Sequence, residues 1–228
     1  MNIIITGAGK GIGFEAVKAF SNDPDNNIIA ISRNIESLKE IEVSGNNTYL
    51  FPVSYDLSDI NKDLNTIISK HFTTIDILIN NAGQLINKPF EDLTDNDFNL
   101  MFNVNVKSVF KLIKMLLPLF KPNSHIINIS SMGGFQGSVK FNGLSLYSAS
   151  KGALNILTEC LAEEFKEKGI KVNSLALGSV NTEMLQQAFP SYKAQVEAHE
   201  MALFIKNFAE TAHQYLNGKI IPVSLTTP

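Results

Sequence analysis

The stretch from Gly7 to Gly13, which reads GAGKGIG, constrains the fold of this chain more than any other segment. An apolar run from Asn2 to Thr6 precedes it and predicts a buried strand, and a helix is predicted over Gly11 to Ser21. Backbone N–H groups and the positive end of a helix dipole would then meet at one point, where a pyrophosphate fits. An ordinary flexible loop is the alternative interpretation, but the strand before it and the helix after it favour dinucleotide binding.

The rest of the chain alternates short apolar runs with amphipathic segments, which is typical of parallel βαβ units. Seven strands are predicted, at Asn2–Thr6, Asn27–Ser32, Thr48–Val53, Ile75–Asn80, His125–Ser130, Ile170–Leu177 and Lys219–Ser224. Helices are predicted at Gly11–Ser21, Ile35–Val43, Ile60–Phe72, Asp95–Phe120, Ser148–Lys168 and Met201–Leu216. We therefore expect an α/β fold, a doubly wound seven-stranded parallel sheet with helices on both faces, in one domain over residues 1–228. Ligands bind beyond the carboxyl ends of the strands in such sheets.

Tyr147 and Lys151 stand four residues apart in a predicted helix and so share one helix face. A phenol titrates near pH 10 and is a poor acid at neutral pH, but a neighbouring ammonium stabilises the phenolate. We therefore expect Lys151 to lower the pKa of Tyr147 and make it a general acid/base. A half-buried Tyr beside a solvated Lys is the alternative for the pair taken alone.

Three motifs in register resemble the compact single-domain branch of the short-chain dehydrogenase/reductase family. Its glycine fingerprint matches Thr6, Gly7, Gly11 and Gly13, its Asn-Asn-Ala-Gly motif matches residues 80–83, and its Tyr-x-x-x-Lys motif matches Tyr147 and Lys151. The resemblance covers essentially the whole chain. It implies a Rossmann-type fold and an NAD(P)-dependent oxidoreductase that transfers hydride between a nicotinamide cofactor and a carbonyl or alcohol substrate.

The resemblance also implies roles for individual residues. Ser131 matches the catalytic serine, with Ser130 as the neighbour most easily mistaken for it, and its hydroxyl can donate to a developing alkoxide. Asn105 matches a fourth catalytic member, although composition alone does not separate it from Asn103. Cofactor contacts are expected from the loops after the strands and from the catalytic helix, at Gly7, Gly9, Lys10, Gly11, Ile12, Gly13, Ser32, Arg33, Asp56, Leu57, Asn80, Ala82, Gly83, Tyr147, Lys151, Gly178, Val180 and Thr182.

The residues after the second strand bear on the choice between the two nicotinamide cofactors. Sites for NAD usually place an acid there to hold the ribose 2′-hydroxyl, whereas a basic residue accommodates the 2′-phosphate of NADP. This chain has Ser32, Arg33 and Asn34 there, and Lys10 adds a cation within the glycine loop. The pattern favours NADPH over NADH, since guanidinium pairs well with phosphate. Alternatively, both cations are ordinary solvated surface charges.

Composition excludes several other classes of protein. The net charge is −3 with charges of both signs scattered, which favours a small-molecule partner over nucleic acid or a membrane surface. Cys160 is the only cysteine, so no internal disulfide or thiol-zinc site is expected, and a cytoplasmic location suits it. No apolar run reaches the length of a membrane span, and we expect neither a leader before the first strand nor metal ligands among the four histidines.

The substrate is the least constrained part of the prediction. Apolar residues could line a pocket or could equally be plain core: Phe135, Phe141, Leu144, Met184, Leu185 and Phe189. A 3-oxoacyl thioester is one plausible substrate, and a non-catalytic NADP-binding redox sensor or interaction module is the alternative function. Leu177 replaces the usual proline of the family before Gly178, and the segment between Ser131 and Tyr147 is longer than usual, so relatives do not determine the substrate.

The two long predicted helices, Asp95–Phe120 and Ser148–Lys168, carry more apolar positions than one stripe against a sheet requires. Relatives commonly pair these helices across a two-fold axis. We therefore expect a homodimer or homotetramer.

Overall fold

The computed structural model describes residues 1–43, 48–60 and 62–225. Within these ranges seven strands form one parallel sheet in the order β3-β2-β1-β4-β5-β6-β9. They are β1 Asn2–Thr6, β2 Asn27–Ser32, β3 Tyr49–Ser54, β4 Ile75–Asn80, β5 Phe120–Ser131, β6 Lys171–Leu177 and β9 Ile220–Val223. A separate pair, β7 Val180–Asn181 and β8 Val196–Glu197, follows the sixth strand. The predicted doubly wound parallel sheet is confirmed.

Helices cover both faces of this sheet. They are α1 Gly11–Ser21, α2 Lys62–Ser69, α3 Asp95–Phe102, α4 Ser108–Leu116, α5 Ser145–Glu164, α6 Glu183–Ala188 and α7 Ala198–Thr211. One core lies between the sheet and α1 with α7, and the other lies between the sheet and α2, α4 and α5. The strands are apolar on both sides because each face is covered, as parallel sheets require.

The predicted helix at Ile35–Val43 is wrong. Only a 3₁₀ turn at Ser37–Glu40 forms there. Its apolar residues recur every third position, at Ile35, Leu38 and Ile41, and Leu38 is buried while the other two pack against the same core. A spacing of three matches the 3₁₀ helix, whose side chains at i and i+3 align, better than it matches an α-helix.

The single helix predicted at Asp95–Phe120 is also wrong. This segment of the chain instead forms α3, a π-helical turn at Asn103–Lys107, and α4, followed by a 3₁₀ turn at Leu117–Leu119. Pro118 lacks an N–H and cannot continue an α-helix. Phe120 instead begins β5 and pairs with Ile75 of β4.

The short helix α6 was not predicted, because six residues, half of them polar, are too few to show a helical periodicity. Thr182 caps it, since its Oγ1 accepts a hydrogen bond from the N–H of Leu185 at 3.3 Å. This helix closes one side of the cavity that the next section describes.

Candidate active site

A cavity of about 560 Å³ lies beyond the carboxyl ends of the strands. Loops after all seven strands of the sheet and helix α6 contribute to its wall. Most of the predicted site residues line it, namely Gly7, Gly9, Lys10, Gly11, Ile12, Ser32, Arg33, Asp56, Leu57, Ala82, Gly83, Ser131, Tyr147, Lys151, Gly178, Val180 and Thr182. Three predicted residues, Gly13, Asn80 and Asn105, do not belong to the lining and have other positions.

The glycine loop leads directly into α1, whose N-cap residue Lys10 is extended and makes no side-chain cap. The first N–H groups of this 11-residue helix therefore face the cavity without a side-chain acceptor, as an anion site requires. Gly13 serves packing, because a Cβ there would collide with the carbonyl oxygen of Gly7 and lie 2.5 Å from Asn81 Nδ2.

Asn81 is a cavity residue that the sequence reasoning missed. Its Nδ2 donates to the carbonyl oxygens of Thr6 at 3.0 Å and Gly7 at 3.2 Å, which ties the glycine loop to the end of β4. The second asparagine of the Asn-Asn-Ala-Gly motif could have identified this residue from the sequence.

The prediction that Asn80 lines the cofactor site is not matched by its position. Its Nδ2 donates to Asn128 Oδ1 at 2.8 Å, and Asn128 in turn donates to Thr158 Oγ1 of α5 at 2.8 Å. Side chains alternate along a strand, so Asn80 shares the face of Leu78, which packs in the core beneath α5. Asn80 therefore links β4 through β5 to α5, next to the site rather than in it.

Arg33 and Lys10 are both exposed and both line the cavity near the ends of β2 and β1. Asp56, after β3, is the nearby acid. Hydrogen bonds from Ser58 hold the pKa of Asp56 below its ordinary value, and the charge of Arg33 lowers it further. This end of the cavity thus offers two cations, one of them beside a carboxylate.

The structure distinguishes the two neighbouring serines. Ser130 is buried, and its hydroxyl donates to the backbone carbonyl of Lys151 at 3.2 Å. Ser131 is partly exposed; its Oγ accepts from the N–H of Gly133 at 3.1 Å, and its hydroxyl acts to lower the pKa of Tyr147. Of the two serines, only Ser131 is therefore close enough to act on the phenol.

Lys151 does not act on Tyr147 in the way that their spacing suggests. Burial raises the pKa of Tyr147 above its ordinary value, and the Ser131 hydroxyl opposes this rise. The Lys151 ammonium donates to the carbonyl oxygen of Ile129 at 2.8 Å and lies 5.9 Å from the centroid of the Tyr147 ring. Its own pKa is lowered to about 8, because the side chain is buried. The expected lowering of the phenol pKa by Lys151 is not present in this arrangement.

Asn105 is fully buried in the π-helical turn, whereas Asn103 is partly exposed. Its Oδ1 accepts from the N–H of Gln84 at 2.7 Å, and its Nδ2 donates to the Gln84 carbonyl and to Ser150 Oγ, both at 2.9 Å. The turn therefore joins the loop after β4 to helix α5. Single π turns within α-helices are frequent at functional sites.

The model of the short chain dehydrogenase family matches residues 1–193. The chain belongs to this family. An uncharacterized oxidoreductase of Staphylococcus epidermidis is 34% identical over 204 residues, which cover 87% of this chain and 86% of that protein. Another, from Staphylococcus aureus strain MW2, is 29% identical over 224 residues, covering 96% and 95%.

Solved structures of short-chain dehydrogenases agree with the fold. A 4-hydroxyisoleucine dehydrogenase complexed with NADH superposes with a TM-score of 0.84 at 26% identity, covering 98% of this chain and 96% of that one. A short chain dehydrogenase from Burkholderia cenocepacia in complex with NADP has a TM-score of 0.86 at 24% identity, covering 97% and 95%. The latter identity supports the fold alone. The chain is therefore an oxidoreductase of the short-chain dehydrogenase class.

The structure shows how Leu177 is accommodated where the family usually has proline. Leu177 stands where the family usually has proline, and β6 continues through it to pair with Val223 of β9. The next N–H, of Gly178, donates to the Val223 carbonyl at 2.8 Å. Leucine thus ends the strand inside the sheet and is buried.

The turn after Ser131 packs directly on α5, which the sequence did not indicate. A Cβ on Gly134 would lie 2.5 Å from the N of Gly152 and from the carbonyl carbon of Lys151. Asn155 fastens this contact, since its Nδ2 donates to the Gly134 carbonyl at 3.0 Å. Its Oδ1 accepts from Ser174 of β6 at 3.0 Å. The close approach determines how Ser131 sits relative to Tyr147.

Five of the six apolar residues proposed for the substrate pocket line the cavity, and Phe135 does not. The five are Phe141, Leu144, Met184, Leu185 and Phe189. Leu85, Leu100, Val104 and Tyr192 also contribute to the wall. They come from the loop after β4, from α3 and its π turn, and from the loop after α6, and no motif marks them.

Proposed function

We propose that this protein reduces the carbonyl group of a ketone or aldehyde, including a 3-oxoacyl thioester, to an alcohol at the expense of NADPH. The observation that carries the proposal is that Ser131, Tyr147 and buried Lys151 come together at the wall of a cavity large enough for a cofactor and a small substrate. A non-catalytic binding module would have no need of this arrangement.

The residues present suit a dinucleotide. The uncapped start of α1 offers N–H groups to a pyrophosphate, and Arg33 with Lys10 offers cations to a 2′-phosphate. We propose Asp56 and Leu57 beside the adenine, Ala82 and Gly83 beside a ribose, and Gly178, Val180 and Thr182 beside the nicotinamide. The related 4-hydroxyisoleucine dehydrogenase was solved with NADH, so the preference for NADPH rests on Arg33 and Lys10.

A bound NADPH would supply the hydride. Tyr147 is proposed to donate the proton to the carbonyl oxygen, and Ser131 to hold that oxygen by a hydrogen bond. The raised pKa of Tyr147 keeps the phenol protonated at neutral pH, which is the form that reduction requires. Lys151 is proposed to contact the cofactor ribose, and Asn105 to keep Gln84 and Ser150 in place around it.

The proposed assembly is a homodimer or homotetramer, and the proposed location is the cytoplasm, in accord with a single cysteine. None of the helices in the described part of the chain combines the length and the apolar character needed to cross a membrane.

The test is a screen of ketones, aldehydes and 3-oxoacyl thioesters with NADPH, in which the loss of cofactor absorbance is followed. Substitution Tyr147→Phe should lower turnover at least about 100-fold while NADPH affinity changes little, because only the proton donor is lost. Retained turnover in the variant would contradict the assignment. Cofactor binding without turnover of any compound would favour the alternative of a redox sensor or interaction module.

A further inference from the structure

Charge is distributed unevenly along the cavity. Among the described residues that line it, five side chains are charged at neutral pH: Lys10, Arg33, Asp56, Lys151 and Glu183. From their placement we infer that the substrate end of the cavity takes an uncharged, largely apolar carbonyl compound. The inference rests on the proposed function and adds the substrate class to it.

Three of the five charges lie far from the catalytic hydroxyls. Lys10, Arg33 and Asp56 follow β1, β2 and β3, whereas Ser131 ends β5. The sheet order β3-β2-β1-β4-β5-β6-β9 places these charges toward one side of the cavity and the catalytic residues toward the other. These three charged residues therefore lie at the cofactor end of the cavity. They do not reach the part of a substrate that extends beyond its carbonyl group.

The remaining two charges offer nothing to a carboxylate substrate either. The Lys151 ammonium is buried and already donates to the Ile129 carbonyl at 2.8 Å. The Glu183 carboxylate lies 3.5 Å from the point where a Cβ on Gly11 would stand, so it borders the glycine loop. As an anion it would repel a substrate carboxylate rather than bind it.

Three cations lie in the segments around the substrate end. Two of them are already paired, and the third, Lys193, follows the wall residue Tyr192 but does not line the cavity. Lys88 forms an ion pair with Asp97 at 2.8 Å. Lys140 donates to the carbonyl oxygen of Phe135 and to Ser138 Oγ, both at 2.7 Å. Neither lysine belongs to the cavity wall, so neither neutralises a charge placed inside it.

The wall at this end is apolar. It consists of Leu100, Phe141, Leu144, Met184, Leu185 and Phe189. Tyr192 and Ser179 add hydroxyls, but these are hydrogen-bonded to each other at 2.9 Å. A carboxylate on a substrate would meet no cation along this wall, and only the Gln84 amide and the nearby hydroxyls could hydrogen-bond to it, so the loss of its hydration is poorly compensated. An acyl chain or an aromatic ring would instead bury apolar surface.

A matched pair of compounds tests the inference. Ethyl benzoylformate and benzoylformate share the same ketone and ring; the acid carries a negative charge where the ester carries a neutral ethyl group. Their affinities for the enzyme–NADPH complex can be measured from quenching of nicotinamide fluorescence. We expect the ester to bind at least about 30-fold more tightly, because an unpaired buried charge is costly. Equal affinity, or tighter binding of the acid, would overturn the inference.

Two lysine substitutions on α6 test whether a charge must line the cavity to change the ester-to-acid affinity ratio. Met184 lines the cavity, whereas Gln187 is exposed on the same helix and lies outside the wall. Met184→Lys should shift the affinity ratio toward the acid by roughly tenfold, and Gln187→Lys should leave the ratio unchanged. An equal shift in both variants would mean that a positive charge attracts the acid whether or not it lines the cavity. That result would contradict the inference.

Two measurements test the proposed reaction and the proposed substrate class separately. Consumption of NADPH by the screened carbonyl compounds, abolished in Tyr147→Phe, tests the proposed reaction. The ester-to-acid affinity ratio tests the substrate class even if neither compound is reduced. 4-Hydroxyisoleucine, the amino acid named for the related dehydrogenase, is a charged comparison compound that this cavity should not bind.

Discussion

The ammonium of Lys151 lies inside the protein with 4% of the residue exposed, and its pKa is lowered to about 8 by burial. The folded protein without cofactor therefore releases this proton more readily than the unfolded chain, whose lysines titrate near pH 10.4. Between these two values the unfolded state binds more protons, so stability should rise with pH.

Comparison with Lys151→Met isolates this contribution, because methionine does not titrate. From pH 7 to pH 10.5 the unfolding free energy of the wild-type protein should increase relative to the variant by on the order of 3 kcal/mol. Chemical denaturation of both proteins across this range measures the difference. A difference that stays constant with pH would mean that the buried lysine keeps an ordinary pKa. The variant should also lose both turnover and cofactor affinity, since Lys151 is proposed to contact the ribose.

Arg33 is the residue on which the cofactor preference rests. Arg33→Ala should weaken NADPH binding roughly ten- to a hundred-fold, through loss of charge-assisted hydrogen bonds, and hardly change NADH binding. Lys39→Ala is the control, because Lys39 is exposed nearby, pairs with Glu36 at 2.7 Å and lies outside the cavity. Titration of both cofactors measures the effect. Tighter binding of NADH than NADPH by the unaltered protein would contradict the preference.

At the scale of elements, the catalytic geometry depends on the contact between the turn Met132–Gly134 and helix α5. Ser131 precedes the turn, and Tyr147 and Lys151 belong to the helix. The contact is possible only because Gly134 has no side chain, since a Cβ would overlap the backbone of Lys151 and Gly152. The turn and the helix therefore fix the position of the serine relative to the tyrosine.

Alanine at the two facing glycines should have opposite effects. Gly134→Ala should destabilise the protein by about 1–3 kcal/mol and reduce turnover, because backbone must move to admit the Cβ. Gly152→Ala is the matched control: its Cβ meets only the Gly134 carbonyl at 3.6 Å, and alanine favours a helix by up to about 1 kcal/mol. Thermal unfolding and turnover measure both. Similar losses in the two variants would refute the role given to the turn.

At the scale of the whole molecule, the prediction concerns the oligomeric state. Helices α3, α4 and α5 leave large apolar side chains exposed, among them Phe98, Phe110 and Ile156, exposed by 45%, 47% and 61%. Phe110 is thus not part of the core of one chain. Exposed lysines, Lys107 at the end of the π-helical turn and Lys114 on α4, would complement exposed glutamates on α5 in an isologous contact.

Light scattering at micromolar concentration should therefore give at least twice the chain mass of 25.1 kDa. Phe110→Glu should shift the protein toward the monomer, because an unpaired charge would be buried in the contact. Tyr49→Glu is the control, since Tyr49 is 52% exposed on edge strand β3, away from these helices. A mass of 25 kDa for the unaltered protein would refute the expected dimer.

The sequence by itself determined the positions of the seven strands along the chain, the glycine loop and the Tyr147–Lys151 pair, because these depend on local periodicity and on spacing within one element. Family register proposed Ser131 and Asn105 as site residues. Tertiary structure decided what the residues contact. Burial, not the neighbouring lysine, governs the Tyr147 pKa, and strand alternation turns Asn80 away from the cavity. The Gly134 contact with α5 and the occupied cations around the substrate end likewise join residues from different elements. Such contacts depend on how the elements pack, and spacing along the chain carries no information about that.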